Sequence, residues 1–441
     1  MDGLEKRVQG LERENAILKE RLSKYENPKN SRNSSLPPSQ DENRPRPNQS
    51  LRKSSGRRPG GQHGHKGSTL EMTGNPDKTI ELKPKYCRGC GLSLRHVPAI
   101  KEQSRQIVDI PPIKAVWTEY RTFGKVCSCG CRTIADFPKG VGSPISYGGN
   151  IEGLIGYFHA RQYLPFARMK EVFNDIFNIN ISQGGIHYLL NRFADKATPV
   201  YELIKQRVAN SEVVGADETG IKVNGKKHWF WTWQSSKLTY IAHSENRKAE
   251  TVKTHFPQGF PNSTLVHDGW KPQLNTPAKN HQSCLAHLQR RLNYLNEKYS
   301  NTIWGVEFLK LLYDAMQIKK KKIGRIGYTT EKAKVIQVLN HLLCHPPNKT
   351  HKELYSFYKR MCRERQYLFT FLFIGKVPPD NNASERAIRN VKVKQKISGQ
   401  FKIEHAAQNF AKIRSVIDTT IKNGMNVVQA LDLIAKFEFQ L

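Results

Sequence analysis

A stretch of alternating apolar and polar residues, SEVVGADETGIKVNGKKHWFWTWQ (211–234), constrains the fold of this chain more than any other feature. Its two halves each have the period of a β-strand, and the Asn-Gly dipeptide between them is typical of a two-residue hairpin turn. KLTYIAHS (237–244) predicts a third strand, RKAETVKTHF (247–256) a helix, and NSTLVHDGW (262–270) a fourth strand. The sequence therefore predicts a hairpin-built sheet that a later strand joins after a helix.

This order of elements is that of a ribonuclease-H-like fold, in which the first and fourth strands lie side by side. Asp217 lies on the first strand, and Asp268 closes the fourth. Glu218 points to the opposite face from Asp217 because strand side chains alternate. Adjacent carboxylates repel unless a cation lies between them, and Mg²⁺ prefers oxygen ligands. Either aspartate alone is more typical of a turn or a cap, but the pair predicts a bridging magnesium site.

A third carboxylate, Glu385, has two open interpretations. Asn382 lies three residues before it, which is the spacing of a capping box at a helix start. A capping glutamate turns back to its own backbone, whereas a metal ligand projects outward. The second interpretation is favoured by basic residues near the same helix face, which would hold phosphates beside a scissile bond. These basic residues are Arg389, Lys392 and Lys396. Together with Arg386, which directly follows Glu385, they are candidate DNA-binding residues.

The segment HQSCLAHLQRRL (281–292) predicts an amphipathic helix that carries Cys284 and His287. A zinc site here would lack a second pair of ligands nearby. A buried cysteine and a polar histidine near the acidic residues is the favoured interpretation. His287 is therefore a candidate for positioning the strand that is cut.

Two groups of cysteines predict one structural Zn²⁺ ion in a zinc ribbon. CRGC holds Cys87 and Cys90, and CSCGC holds three more cysteines beyond a strand-rich stretch. Four thiolates bind zinc tetrahedrally and stabilise a small core. One of the last three cysteines is not a ligand, and we favour the first two because Gly130 follows them as Gly91 follows Cys90. The three candidates are Cys127, Cys129 and Cys131. Free structural cysteines are the alternative.

The N-terminal segment (1–27) carries a heptad repeat. Leucine recurs at the d positions, and a single asparagine occupies an a position, which favours a parallel two-stranded coiled coil. The alternative is one amphipathic helix that packs on another domain. The a and d positions are Leu4, Val8, Leu11, Asn15, Leu18, Leu22 and Tyr25.

Residues 28–75 are rich in Pro, Ser, Asn, Gly and Arg, and such a segment buries too little apolar surface to fold. We expect a disordered basic linker there. Its basic residues, Arg57 and Arg58 among them, are candidates for contact with DNA phosphates without sequence specificity. A plain solvated linker is the alternative.

The charge of the chain indicates its partner. Lys and Arg number 71 against 38 Asp and Glu, a formal net charge of +33. A polyanion explains this excess, with nucleic acid ahead of an anionic membrane. The chain has no apolar run of about 18 residues and no signal-peptide core. We therefore expect a cytoplasmic protein that acts on double-stranded DNA, with no membrane association.

These patterns together predict a multidomain protein of α and β elements. A helix pair around ISQGGIHYLL, with Ser182 as an N-cap, is either a helix-turn-helix-like DNA-binding unit or a plain packing unit. The predicted segments are a coiled coil (1–27), a linker (28–75), a zinc-binding domain (76–142), a helical domain (143–208), a ribonuclease-H-like catalytic core (209–300 and 373–402), a helical insertion (301–372) and a helical tail (403–441).

Several motifs in the same order resemble those of bacterial insertion-sequence transposases of the IS sixty-six group. They include KNSRNSSLPPSQD, GRRPGGQHGHKG, GADETGIKV, HDGW with CLAHLQRRL, DNNASERAIRNVK and SGQFKIEHAAQNFAKIRSVIDT. The resemblance implies an Asp-Asp-Glu catalytic triad, which falls on Asp217, Asp268 and Glu385. It also implies a zinc-binding region and a helical insertion before the glutamate. The chain departs from the family in its C-x-C second cysteine group and in Leu274, near which many members carry a tyrosine.

Our hypothesis is a bacterial, nucleoid-associated DNA transposase that frees 3′-OH ends of its element and joins them to target DNA. Two Mg²⁺ or Mn²⁺ ions at the triad would activate water and stabilise the leaving 3′ oxygen. Expected partners are element ends, target DNA, a second copy or higher oligomer, and small accessory proteins. The alternatives are a ribonuclease-H-like nuclease without strand transfer and an inactive DNA-binding relic or repressor.

Overall fold

The computed structural model describes most of the chain from residue 70 onward. The described ranges are 70–138, 140–300, 302–319 and 325–436, together with Gly64 and scattered positions between 7 and 30. The chain forms two compact units. One comprises residues 45–114, and the other combines residues 1–44 with 115–441.

The larger unit contains a short hairpin followed by three helices. Strands β1 (Gly124–Val126) and β2 (Arg132–Ile134) pair antiparallel around the second cysteine group. The helices are α1 (Gly149–Ala160), α2 (Phe166–Phe177) and α3 (Gln183–Ala209). The Ser182 hydroxyl accepts a hydrogen bond from the Gly185 amide at 3.0 Å, which confirms the predicted N-cap of α3. The predicted helix pair exists, and its DNA-reading role stays a prediction.

A five-stranded mixed sheet follows, with strand order β5-β4-β3-β6-β7. Asn224 and Gly225 both have positive φ, as a type I′ turn requires, so the predicted hairpin is confirmed. β3 also pairs in parallel with β6, as predicted for the first and fourth strands. The strands are β3 (Val213–Val223), β4 (Lys226–Gln234), β5 (Thr239–Ser244), β6 (Phe260–His267) and β7 (Ala278–Ser283), with helices α4 (Ala249–His255) before β6 and α5 (Lys271–Leu274) after it.

Strand β7, AKNHQS, is absent from the sequence prediction. It has no apolar alternation and no β-branched residue, and it becomes a strand through parallel pairing with β6. Because β7 extends to Ser283, the helix that follows begins only at Leu285. Cys284 is the N-cap residue of α6 (Leu285–Lys298), so the prediction that Cys284 lies within the helix is wrong, whereas His287 does lie on it.

The predicted helical insertion is helical and has its own hydrophobic core. Its helices are α7 (Ile303–Ile318), α8 (Arg325–Cys344), α9 (Lys352–Arg363), α10 (Arg365–Leu368) and α11 (Thr370–Phe373). Their buried side chains, among them Trp304, Phe308 and Phe357, pack with those of α6 and with Val266 of β6. The insertion therefore packs against β6, the strand that ends at His267 directly before Asp268.

The last helices are α12 (Asn382–Ser398), α13 (Glu404–Lys422) and α14 (Val427–Lys436). Helices α1 to α3, α13 and α14 contribute to the same core as strands β3 to β5. Residues 143–208 and 403–441 are thus packed with the sheet, and the domain boundaries drawn from the sequence stay predictions.

Side chains close the outer edge of β5. The Ile241 amide donates to the Ser415 hydroxyl at 2.9 Å, and the Thr239 amide donates to the Thr419 hydroxyl at 3.1 Å. The Tyr201 hydroxyl donates to the Ile241 carbonyl at 2.9 Å. Since unpaired edge groups invite pairing with other chains, these hydroxyls protect the sheet from strand addition.

One buried lysine in α12 is expected to lower the free energy of unfolding. Lys394 is buried, and burial lowers its pKa to about 8 from an ordinary value of 10.5. At neutral pH the folded protein must therefore hold a desolvated charge. We expect Lys394→Met to raise the free energy of unfolding by about 1–3 kcal/mol at pH 7. Chemical denaturation measures this difference, with the exposed Lys396→Met as the control.

The pH dependence of that difference has a definite sign. Between pH 8 and 10.5 the unfolded chain keeps the Lys394 proton while the folded chain has lost it, so wild-type stability gains from this group as the pH rises. The advantage of Lys394→Met should therefore shrink toward pH 10.5. An equal advantage at both pH values would show that the ammonium charge is not its cause.

Candidate active site

The two aspartates come together through the register of β3 and β6. Gly215 is the last residue of β3 paired with β6, opposite Val266, and Asp217 and Asp268 each lie two residues farther along. Burial, followed by the charges of Glu218, Asp268 and Glu385, raises the pKa of Asp217 well above its ordinary value. All three predicted triad carboxylates are therefore close enough to interact electrostatically.

The HDGW turn fixes Asp268. Its carboxylate accepts a hydrogen bond from the Trp270 amide at 2.8 Å. Gly269 has φ of +87°, and its amide donates to Nδ1 of His267 at 3.0 Å. The other nitrogen of His267 lies 3.0 Å from Nδ1 of His281, and burial lowers the pKa of His267 to about 3. Two neutral histidines in contact with each other therefore stabilise the HDGW turn.

Helix α12 approaches the sheet at Gly215, where a Cβ would lie 2.6 Å from the Ser384 hydroxyl. The Asn381 side chain donates to the Ala216 carbonyl at 2.8 Å and accepts from Ser384 at 2.7 Å. These contacts place Glu385, one helical turn later, beside Asp217.

The capping-box interpretation of Glu385 is wrong. Asn381 is the N-cap residue and α12 begins at Asn382, whose amide donates to Asp380 at 3.1 Å. The Glu385 carboxylate accepts a hydrogen bond from Nη2 of Arg290 at 3.1 Å. The Asn381 side chain makes no capping hydrogen bond to its own helix and instead donates to the backbone of β3. Glu385 thus projects away from its own helix start, as a ligand would.

His287 lies beside Glu385. Its Nδ1 is 3.8 Å from Oε1 of Glu385, beyond hydrogen-bond distance, and is buried with no partner. Burial and the charge of Arg290 lower the pKa of His287, while Asp268 and Glu385 act in the opposite direction. The structure therefore brings His287 together with the three carboxylates.

Arg360, in α9, is a site residue that the sequence analysis missed. Its Nη2 donates to the Asp268 carbonyl at 3.3 Å, and its Nε donates to Glu364 at 2.9 Å. A Cβ at Gly269 would lie 1.8 Å from the same Nη2. Arg360 lies 92 residues after Asp268, and its helix shows only an amphipathic pattern, so no local signal identifies it.

Glu218 is buried on the other face of the sheet. It accepts hydrogen bonds from Arg247 and Gln273, and the Arg247 guanidinium lies 3.9 Å from the Trp270 ring centre. Burial, with the charge of Asp268, raises the pKa of Glu218 to about 7. Trp270 is the last residue of the HDGW turn, and Gln273 lies in α5 just after it. This cluster therefore anchors the segment that follows Asp268.

The predicted basic residues of α12 differ in exposure. Arg386, Arg389 and Lys396 are exposed, whereas Lys392 is half-buried and donates to the Gly220 carbonyl at 2.7 Å. Cys284 is buried, as predicted. Its sulfur accepts a hydrogen bond from the Asn381 amide at 3.2 Å, and burial raises its pKa to about 11. Arg57 and Arg58 lie outside the described residues.

Within the described ranges, no three His, Cys, Asp or Glu side chains are already arranged to hold a metal ion. The donor chemistry nevertheless suits one. Asp217, Asp268 and Glu385 supply oxygen atoms only. Burial first, and then the neighbouring carboxylates, raise the pKa of Asp217, and a divalent cation would offset the repulsion between those carboxylates. The residues therefore fit the predicted magnesium or manganese ions, while their arrangement as ligands stays a prediction.

Each cysteine group forms a turn that a glycine amide closes, and the two groups lie in different compact units. The Gly91 amide donates to the Cys87 carbonyl at 3.0 Å, and the Gly130 amide donates to the Cys127 carbonyl at 2.9 Å. Both glycines have positive φ. Hydrogen bonds from the neighbouring residues, those of Cys90 and Cys129 first, lower the pKa of the Cys87 and Cys127 thiols. Each turn thus favours a thiolate, and a shared zinc ion stays a prediction.

The N-terminal heptad is described only at some positions. Those described between 7 and 26 are helical. Apolar a and d residues there are largely exposed: Val8, Leu11, Leu18, Leu22 and Tyr25. Leu4 lies outside the described residues. An exposed apolar seam agrees with a coiled coil, and pairing with a second copy stays a prediction.

Comparison with known families gives two matches. The model of the family described as "Transposase IS66 family" matches residues 146–409, which include the sheet, the insertion and α12. A "Family of unknown function (DUF6444)" matches residues 4–71. No curated protein matches the chain.

Proposed function

Because the chain belongs to the IS66 family of transposases, we propose that it cuts the ends of its insertion sequence and joins the freed 3′-OH ends to target DNA. The observation that carries this proposal is that β3 pairs with β6 just before Asp217 and Asp268, while the charges of Asp268 and Glu385 both act on Asp217. The sheet order agrees with the ribonuclease-H-like core expected from the sequence.

The residues of the site have separate roles in this proposal. Asp217, Asp268 and Glu385 would hold two Mg²⁺ or Mn²⁺ ions, which when bound supply an activated nucleophile and neutralise the leaving 3′ oxygen. His287 would orient the strand that is cut, from its position beside Glu385. The exposed cations Arg386, Arg389 and Lys396 would bind flanking phosphates, with Lys392 completing the row.

The test uses DNA that contains the sequences flanking the gene. Purified full-length protein should nick this DNA at the element ends with Mg²⁺ and leave 3′-OH groups. Cleavage without joining to a target plasmid would support a nuclease without strand transfer. Binding of the ends without cleavage would support a repressor, and either result would contradict the proposal.

We propose that Cys87 and Cys90 share one structural Zn²⁺ ion with two of Cys127, Cys129 and Cys131. The glycine-closed turn at each cysteine group and the lowered thiol pKa values support this ligand set. The purified protein should contain about one zinc per chain by elemental analysis. Replacing Cys87 and Cys90 by serine should remove it, whereas Cys344→Ser should not. A wild-type ratio near zero would contradict the proposal.

We further propose that the heptad pairs two protomers, so that both element ends are processed together. Leu11 and Leu18 are exposed d positions. Replacing both with glutamate should convert the dimer or higher oligomer to a monomer in light scattering, because like charges would face each other in the seam. Glu20→Ala, at an outer f position, is the control. An unchanged mass would place self-association elsewhere.

Small accessory proteins and a cytoplasmic, nucleoid-associated location remain part of this proposal. Within the described parts of the chain, none of the helices has the length and apolar character that crossing a membrane requires.

A further inference from the structure

Two guanidinium groups and one imidazole lie beside the carboxylate site, and they come from two different helices. Arg290 and His287 lie on α6, and Arg360 lies on α9 of the helical insertion. Arg290 is within hydrogen-bond distance of Glu385, and Arg360 is within that distance of the Asp268 backbone. Nδ1 of His287 lies 3.8 Å from the same Glu385 oxygen that Arg290 binds, so the three side chains flank two residues of the triad.

These side chains have hydrogen-bonding atoms that can still contact a ligand. Nδ1 of His287 is buried and has no hydrogen-bond partner. A guanidinium carries five N–H groups, and the bonds of Arg360 to Glu364 and to the Asp268 carbonyl use only its Nε and Nη2. The side chains of Arg290 and Arg360 are each about 30% exposed, which leaves them accessible to a ligand.

The position of Arg360 is held on both sides. Glu364 is almost fully buried and accepts two hydrogen bonds from Arg360 Nε, which orients the guanidinium. Gly269 has no side chain, and any Cβ there would occupy the place of Arg360 Nη2. An arginine held this firmly beside a carbonyl is suited to binding a tetrahedral oxyanion, because its planar N–H groups match phosphate oxygens.

We propose that His287, Arg290 and Arg360 form a binding site for the non-bridging oxygens of the phosphodiester that is cut, and that the helical insertion supplies Arg360 to complete it. This inference rests on the proposed function for the identity of the ligand. It makes the insertion a component of the active site, in addition to any DNA contacts that it makes.

The first experiment measures anion binding without catalysis. Full-length wild type, Arg360→Gln and Arg363→Gln are titrated with inorganic phosphate in a chelator, using calorimetry. Arg363 is exposed on the same helix and serves as the matched control. Arg360→Gln should weaken phosphate affinity about 10-fold or more, and Arg363→Gln should change it less than about 2-fold. Equal affinities in the three proteins would overturn the inference.

The second experiment identifies the oxygen contact. A single phosphorothioate replaces each non-bridging oxygen at the cleavage position in turn. Wild type should cut one isomer faster, and Arg360→Gln should cut at least about 30-fold more slowly than wild type and lose part of that preference. A variant that is merely misfolded would lose rate without a change in preference. If Arg360→Gln does not fold, Arg360→Lys keeps the charge and should show intermediate phosphate affinity.

The outcomes separate this inference from the proposed function. Phosphate binding through Arg360 without any DNA cleavage by wild type would contradict transposition and leave the anion site standing. Cleavage by wild type and by Arg360→Gln at equal rates would leave transposition standing and overturn the anion site.

Discussion

Asp217→Asn is expected to reduce cleavage of element-end DNA by at least about 1,000-fold while leaving DNA affinity unchanged. Asp217 interacts with Asp268 and Glu385, and it occupies the point where β3 runs beyond its pairing with β6. The amide keeps the size of the side chain and one oxygen that can accept from the Glu218 amide, but it removes the negative charge that a metal ion requires. Cleavage is measured with Mg²⁺ and again with Mn²⁺, and DNA binding by fluorescence anisotropy.

The matched control is Asp195→Asn, which makes the same chemical change at an exposed position of α3. It should cleave at the wild-type rate. Equal cleavage by Asp217→Asn and wild type would remove Asp217 from the triad. A parallel loss of DNA affinity in Asp217→Asn would instead point to a folding defect, which a thermal melting curve would reveal.

Gly269→Ala should have the second-largest effect. The added Cβ would lie 1.8 Å from Nη2 of Arg360. Gly269 also has φ of +87°, a backbone conformation that residues other than glycine rarely adopt. Either the HDGW turn or Arg360 must therefore move. Because a displacement of about 1 Å can cost about 100-fold in rate, we expect cleavage to fall by roughly that factor. The free energy of unfolding should fall by about 1–3 kcal/mol.

Gly375→Ala is the control for Gly269→Ala, because nothing lies within 4 Å of a Cβ built at Gly375 and its φ is not positive. It should leave cleavage and stability nearly unchanged. The double variant Gly269→Ala with Arg360→Ala relieves the clash but not the backbone strain. Recovery of stability without recovery of cleavage would show that Arg360 itself is needed at the site.

The sequence predicted the parts of the site that depend on local chemistry. The Asn-Gly turn determines which residues of β3 and β4 face each other, and strand alternation separates Asp217 from Glu218. The predicted pairing of the first and fourth strands places Asp217 and Asp268 side by side. The resemblance to a family then assigned Glu385 to the triad, because the residues around it left a cap and a metal ligand as open interpretations.

Tertiary contacts explain what the sequence did not show. Strand β7 exists because β6 offers it a pairing edge, and its own residues carry no strand pattern. Asn381 and Asn382 are equally good caps by residue type, so the sequence could not show that the helix begins after Asn381 and that the Asn381 side chain contacts Ala216. Arg360 is distant in the chain from every other site residue. Its role follows from the packing of the insertion against the end of β6.

Joining of DNA ends tests the central claim most directly. Full-length protein is incubated with Mg²⁺, a labelled linear DNA that ends in the sequences flanking the gene, and an unlabelled target plasmid. Labelled 3′ ends should become covalently joined to the plasmid, and Asp217→Asn, Asp268→Asn and Glu385→Gln should each abolish the joined product. Cut ends that never join the plasmid, or joining that persists in these variants, would contradict transposition by the triad.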